Sequence, residues 1–146
     1  MKKSTIVAAV LALLPALAVA QQPDTPRVIT ILTAPEPQTQ LMAMVLTANA
    51  VAKGAEASIL LCGPAADIAL KDAPASATQG QPPKDASPQG LMLKMVQEAG
   101  VQAQVCAIYL PGRGEGPEAL VEGVTPARPD AMADELIRPG SVVLSF

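Results

Sequence analysis

The sequence predicts a three-layer α/β domain, a parallel sheet with helices on both faces. Three observations lead there. Short β-branched or apolar runs alternate with segments of helical period. Glycine and proline punctuate almost every junction between them. The length left after an N-terminal leader suits one domain with a real core.

The leader comes first. Met1-Lys2-Lys3-Ser4 is a short positive start, and Thr5 to Ala20 is an uncharged apolar stretch interrupted by Pro15. Ala18-Val19-Ala20 fits the small-residue cleavage pattern, so residues 1–20 read as a secretory signal peptide cut after Ala20. The run is shorter than the roughly 20 apolar residues that a spanning helix needs. No cysteine stands beside the cut to accept a lipid. The expected product is a periplasmic protein with no membrane segment after cleavage.

Cleavage takes residues 1–20 from the 146, leaving 126. Lys2 and Lys3 go with it and no acid does. Basic side chains fall from 10 to 8 against 13 acidic ones, and the net charge from −3 to −5. There is no histidine or tryptophan, and the aromatic residues are Tyr109 and Phe146 alone. A nucleic-acid binder would cluster Lys and Arg beside stacking rings, so nucleic acid is not an expected partner. Without histidine the commonest metal ligand and general base is missing, and neither a metal nor another cofactor is expected. Short of an unusual lysine acting as base, hydrolase chemistry through a nucleophile–base pair is not expected, on the same ground.

After a short linker (residues 21–26), the domain is expected over 27–146. Arg27 to Thr33 reads as a buried strand ended by Ala34-Pro35-Glu36-Pro37. Gln38 to Lys53 reads as a helix closed by Gly54. It is apolar almost all round, through Leu41, Met42, Met44, Val45, Leu46, Ala48 and Val51, so more than one side should be covered. Ala57 to Leu61 reads as a second strand running into Cys62-Gly63-Pro64, and Ala65 to Lys71 as a short helix.

Residues 72–88 carry Pro, Ala, Ser and Gln without apolar period, a loop of lid length. Pro88 to Ala99 reads as a helix with Ser87 as N-cap, stopped by Gly100. Met92, Met95, Val96 and Ala99 give it an inward stripe. Val101 to Leu110 reads as the third strand, meeting a Pro111-Gly112-Arg113-Gly114 turn. Short helices at Gly116 to Gly123 and Asp130 to Ile137, and a strand from Ser141 to Phe146, complete the chain. Strands alternating with helices give parallel βαβ units.

Ligands of such sheets collect beyond the carboxyl ends of the strands. Two of those ends hold a cysteine, Cys62 and Cys106. In an oxidising compartment two cysteines commonly pair. With the common strand order 2-1-3, however, the first strand lies between them. Two inter-strand steps of roughly 4.8 Å then separate them by about 9–10 Å, beyond the ~7 Å Cα limit for a bridge. On that order a disulfide is disfavoured. Cys62, ending an apolar strand, reads as a small buried hydrophobe. Cys106 precedes a turn whose glycines expose amides and whose Arg113 is permanently cationic, surroundings that favour a thiolate.

The stretch Glu98-Ala99-Gly100-Val101, then Val105-Cys106, then Arg113-Gly114 resembles the DsrE/DsrF-like family, which includes TusD-type sulfur-relay subunits and YchN-like proteins. The order of the other elements over Val28 to Phe146 is similar too. The resemblance implies a flavodoxin-like or YchN-like sheet and a homo-oligomer, a trimer or hexamer. It also implies that Cys106 carries reduced sulfur as a persulfide between donor and acceptor proteins. Cys106 is then the catalytic candidate. Arg113, Gly112 and Gly114 would bind the anionic persulfide, with Cys62 beside them. Relay members of the family are cytoplasmic, whereas this chain carries an export signal. Two other readings stay open: an anion- or small-ligand-binding module, and a thiol–disulfide redox protein using both cysteines.

Overall fold

The computed structural model describes residues 25–146. The leader expected over residues 1–20, its cut after Ala20 and most of the linker lie outside the described residues. The first strand, β1 (Arg27–Leu32), leads through the Ala34–Glu36 turn into α1 (Pro37–Ala52). Pro37 sits in the first helical turn, where its missing N–H costs nothing. Then follow β2 (Glu56–Leu61) and a 3-10 helix (Gly63–Ala69). The expected loop contains a one-turn helix, α2 (Ala75–Thr78).

Next comes α3 (Pro88–Ala99), at the boundaries its sequence predicts. Ser87 Oγ accepts from the Gly90 amide at 3.1 Å, and Gly100 ends the helix at φ 67°, a conformation that favours glycine. The third strand is shorter than expected, β3 (Gln102–Val105). Tyr109–Arg113, expected as strand end and turn, forms a short helix, α4. The expected helix at Gly116–Gly123 is reduced to a 3-10 turn (Pro117–Ala119), followed by an unforeseen strand, β4 (Val124–Pro126). The chain closes with α5 (Pro129–Ile137) and β5 (Ser141–Ser145). Among the described residues no helix is long and apolar enough to cross a membrane.

All five strands are parallel, in the order β4-β3-β2-β1-β5. The expected 2-1-3 arrangement is therefore wrong. The chain steps from β1 to β4 in one direction, then α5 carries it back across the sheet to the far side of β1. Right-handed crossovers put helices of opposite travel on opposite faces. The sheet is accordingly covered by α1 and α3 on one face and by α5 on the other, the expected three layers.

Residue alternation along the strands matches those layers. Leu32, Ile59, Leu61, Ala103 and Val105 pack with Met44, Met92 and Met95 on the α1/α3 face. Ile29 and Leu60 pack with Ala127 and Met132 on the α5 face. One polar pair crosses the first core: Thr30 and Thr47, both fully buried, share a hydrogen bond of 2.6 Å, and Thr47 donates to the Ala43 carbonyl. Each hydroxyl thus has a partner, as burial requires.

Candidate functional site

The carboxyl end of the sheet is built by the residues that follow β2 and β3. The ladder runs one residue past each strand: the Cys62 amide donates to Leu32 and the Cys106 amide to Leu61, both at 2.9 Å. Because β2 and β3 are neighbours, Cys62 and Cys106 stand side by side. Their Cα atoms are 5.1 Å apart and they form a disulfide. This overturns the expectation of separated thiols, and the reason is the strand order. No strand lies between them, so a single inter-strand step suffices. No free cysteine occurs among the described residues.

Both cysteines are half-buried, so Cys62 is not the enclosed hydrophobe its strand suggests. They pack on the α5 face, against Ile29, Leu60, Ala127 and Met132. The Ala127 amide donates to the Val105 carbonyl at 2.8 Å, which places Ala127 on the other side of Cys106 from Cys62. Two residues later α5 begins, so its N-terminus lies at the same end of the sheet as the sulfurs. Pro129 and Asp130 are the sequence signals of that helix start.

The arginine has a different setting. Tyr109 opens α4, and its amide donates to the Cys106 carbonyl at 2.9 Å. Its ring, however, packs against the α1/α3 core. Its hydroxyl donates to Asp67 Oδ1 at 2.5 Å. Burial, then the Asp67 hydrogen bond and charge, raise the Tyr109 pKa well above the ordinary phenol value, with nearby Arg113 opposing. Arg113 lies over the Tyr109 ring, 5.5 Å from its centre, and is held by Glu115 at 3.0 Å and Asp67 at 3.6 Å. The hydrogen bond with Glu115, foremost, raises its pKa further.

The Gly112 amide donates to Ile108 and the Gly114 amide to Pro111, each at 3.1 Å. The groups expected to cradle an anion therefore already have partners within α4 and its cap. Gly114 has φ 70° and ends α4. Asp67, which organises this cluster, went unnoticed in the sequence because a lone acid in an Ala-rich helix carries no spacing signal. Among the described residues no group of three or more His, Cys, Asp or Glu side chains is placed to hold a metal ion.

No protein-family model matches the chain, and no curated protein matches it. Solved structures do. MTH1491, a protein of unknown function from Methanobacterium thermoautotrophicum, superposes with a TM-score of 0.60 at 15% identity, covering 84% of this chain and 100% of that one. The YchN protein from E. coli superposes with a TM-score of 0.57 at 20% identity, covering 84% of this chain and 99% of that one. The chain has the YchN-like α/β fold that its sequence led us to expect.

Proposed function

We propose that this chain is an exported thiol protein that handles reduced sulfur through the Cys62–Cys106 pair. The observation that carries this reading is the pair itself: two half-exposed cysteines bridged at the carboxyl ends of adjacent strands. A bridge reachable by solvent is one that a partner thiol can open. Export rests on the leader read over residues 1–20.

In the dithiol form, the Cys106 thiolate attacks the outer sulfur of a persulfide donor. A Cys106 persulfide forms and the donor leaves as its thiolate. Cys62, as thiolate, then attacks Cys106 Sγ. The Cys62–Cys106 bond forms, the bond to the outer sulfur breaks, and hydrosulfide leaves. The two thiols are oxidised and the sulfane sulfur is reduced to sulfide. A dithiol reductant of the thioredoxin class reopens the pair. Alternatively an acceptor protein takes the outer sulfur before Cys62 closes, which is relay. Arg113 enters neither step directly; with Tyr109 and Asp67 it positions α4 immediately after Cys106.

Intact-mass spectrometry tests the scheme. Reduced wild-type protein exposed to polysulfide should gain about 32 Da transiently, then settle about 2 Da below the dithiol mass with sulfide released. Cys62→Ser should hold the added sulfur, and Cys106→Ser should not load. Equal loading of Cys106→Ser and wild type would overturn the assignment. A wild-type persulfide that never closes would remove Cys62 from the mechanism.

A further inference from the structure

The segment 72–88 reads as a lid, yet the structure puts it to use away from the cysteines. Gln81 and Ala86 form an antiparallel bridge, with the Gln81 amide donating to the Ala86 carbonyl at 2.9 Å. Gln81 Nε2 donates to the Pro37 carbonyl at 2.9 Å, which ties the segment to the first turn of α1. Ser87 fastens its far end as the cap of α3. Held at these points, Pro82 and Pro83 form one wall of a groove of about 750 Å³ between α1 and α3. Binding pockets for small molecules commonly span roughly 300–1,000 Å³.

The floor is apolar: Leu41, Val45 and Ala48 from α1, and Leu91 from α3. These residues account for part of the apolar surface that α1 carries away from the sheet. Ala43, Met44 and Thr47 face the sheet, and the groove takes the opposite side. The charged side chains lining it are Lys84 and Lys94, with no carboxylate among the lining residues. Lys84 has no ion pair among the described residues, and Lys94 has only a 4.0 Å contact with exposed Glu98. The Asp85 carboxylate lies back against Gly80.

We infer that this groove is a second binding site, which takes an apolar chain ending in an anion, a medium-chain free fatty acid. The apolar floor removes the alkyl chain from water. Two under-used ammonium groups at the rim meet the carboxylate. The site shares no residue with the cysteine pair, so it stands or falls independently of the sulfur chemistry.

Calorimetric titration with dodecanoate, kept below its micelle concentration, tests the inference. Saturable binding is expected at about one molecule per chain, with the cationic dodecyltrimethylammonium about tenfold weaker or more. The exposed double variant Lys84→Glu/Lys94→Glu should lose about tenfold in affinity while keeping the wild-type melting temperature. Ala48→Phe, which fills the floor, should abolish binding. Equal affinity for anion and cation, or undiminished binding by both variants, overturns the inference. So does sedimentation with phosphatidylglycerol vesicles without binding of free dodecanoate, which would mean docking on a headgroup surface. Loading of Cys106 by polysulfide should be the same in all these variants, which separates a failure here from a failure of the thiol mechanism.

Discussion

The two faces of the sheet are built to different standards. One is sealed by α1 and α3, with Met44, Met92, Leu61 and Val105 wholly removed from solvent. Among the described residues, the other is covered by the nine residues of α5, whose Met132 and half-buried Leu136 lie over Ile29 and Leu60. Toward β4 it is left to Gln102, Gln104 and Thr125, polar residues that meet water at exposed or half-buried positions. Both cysteines point to the lightly covered face. Stability is concentrated where packing is dense, and the disulfide lies on the side left more open. The disulfide is the exception: on the thin face, it is also a covalent brace.

That exception carries the largest expected effect. The bridge closes a loop with a sequence separation of 44. By chain entropy, Cys62→Ala/Cys106→Ala should cost about 4 kcal/mol in urea unfolding. A loss under about 1 kcal/mol would mean that the pair contributes chemistry and little bracing. On the dense face, Met92→Ala should cost about 3 kcal/mol through cavity formation, against about 1 kcal/mol for half-buried Leu136→Ala on the thin one. Equal losses would erase the contrast between the faces. Thr47→Val, which strands the buried Thr30 hydroxyl, should cost about 2 kcal/mol by the same measurement.

The smallest effect is read by pH. Tyr109 is the one tyrosine and there is no tryptophan, so near-ultraviolet absorbance follows a single phenol. Its midpoint should lie above the ordinary 10.0, and Asp67→Asn should move it back down. Because the folded state raises this pKa, the associated stability is complete below pH 10.0 and is lost as pH rises through the folded-state value.

Local signals were strong where one element decides its own shape. The Ser87 cap, the Met92/Met95 stripe and the Gly100 stop set α3 without help from the rest of the chain. The β-branched run at Arg27 and the terminal Ser141 to Ser145 strand were equally plain. The three-residue β4 was not, because Val124-Thr125-Pro126 becomes a strand only through its partner β3. Strand order was beyond reach for the same reason. Neighbours in a parallel sheet are chosen by how the crossover helices pack, and right-handed crossovers allow both 2-1-3 and 3-2-1. The cysteines were therefore placed at the carboxyl ends of their strands but assigned the wrong separation. Arg113 was legible as a charge, but its capture by Asp67 and Glu115 depends on where the Gly63–Ala69 segment lands.

The bridge also divides the chain topologically. Residues 62–106 form a closed ring that contains α2, the Pro82-Pro83 wall and all of α3, whereas α1 and α5 lie outside it. A protease that cuts once within 72–88 leaves the oxidised protein a single covalent molecule and splits the reduced one into two fragments. A cut between β1 and α1 releases the N-terminal piece in either state. A gel run with and without reductant after such a nick thus reports the state of two sulfur atoms as a change in the number of bands.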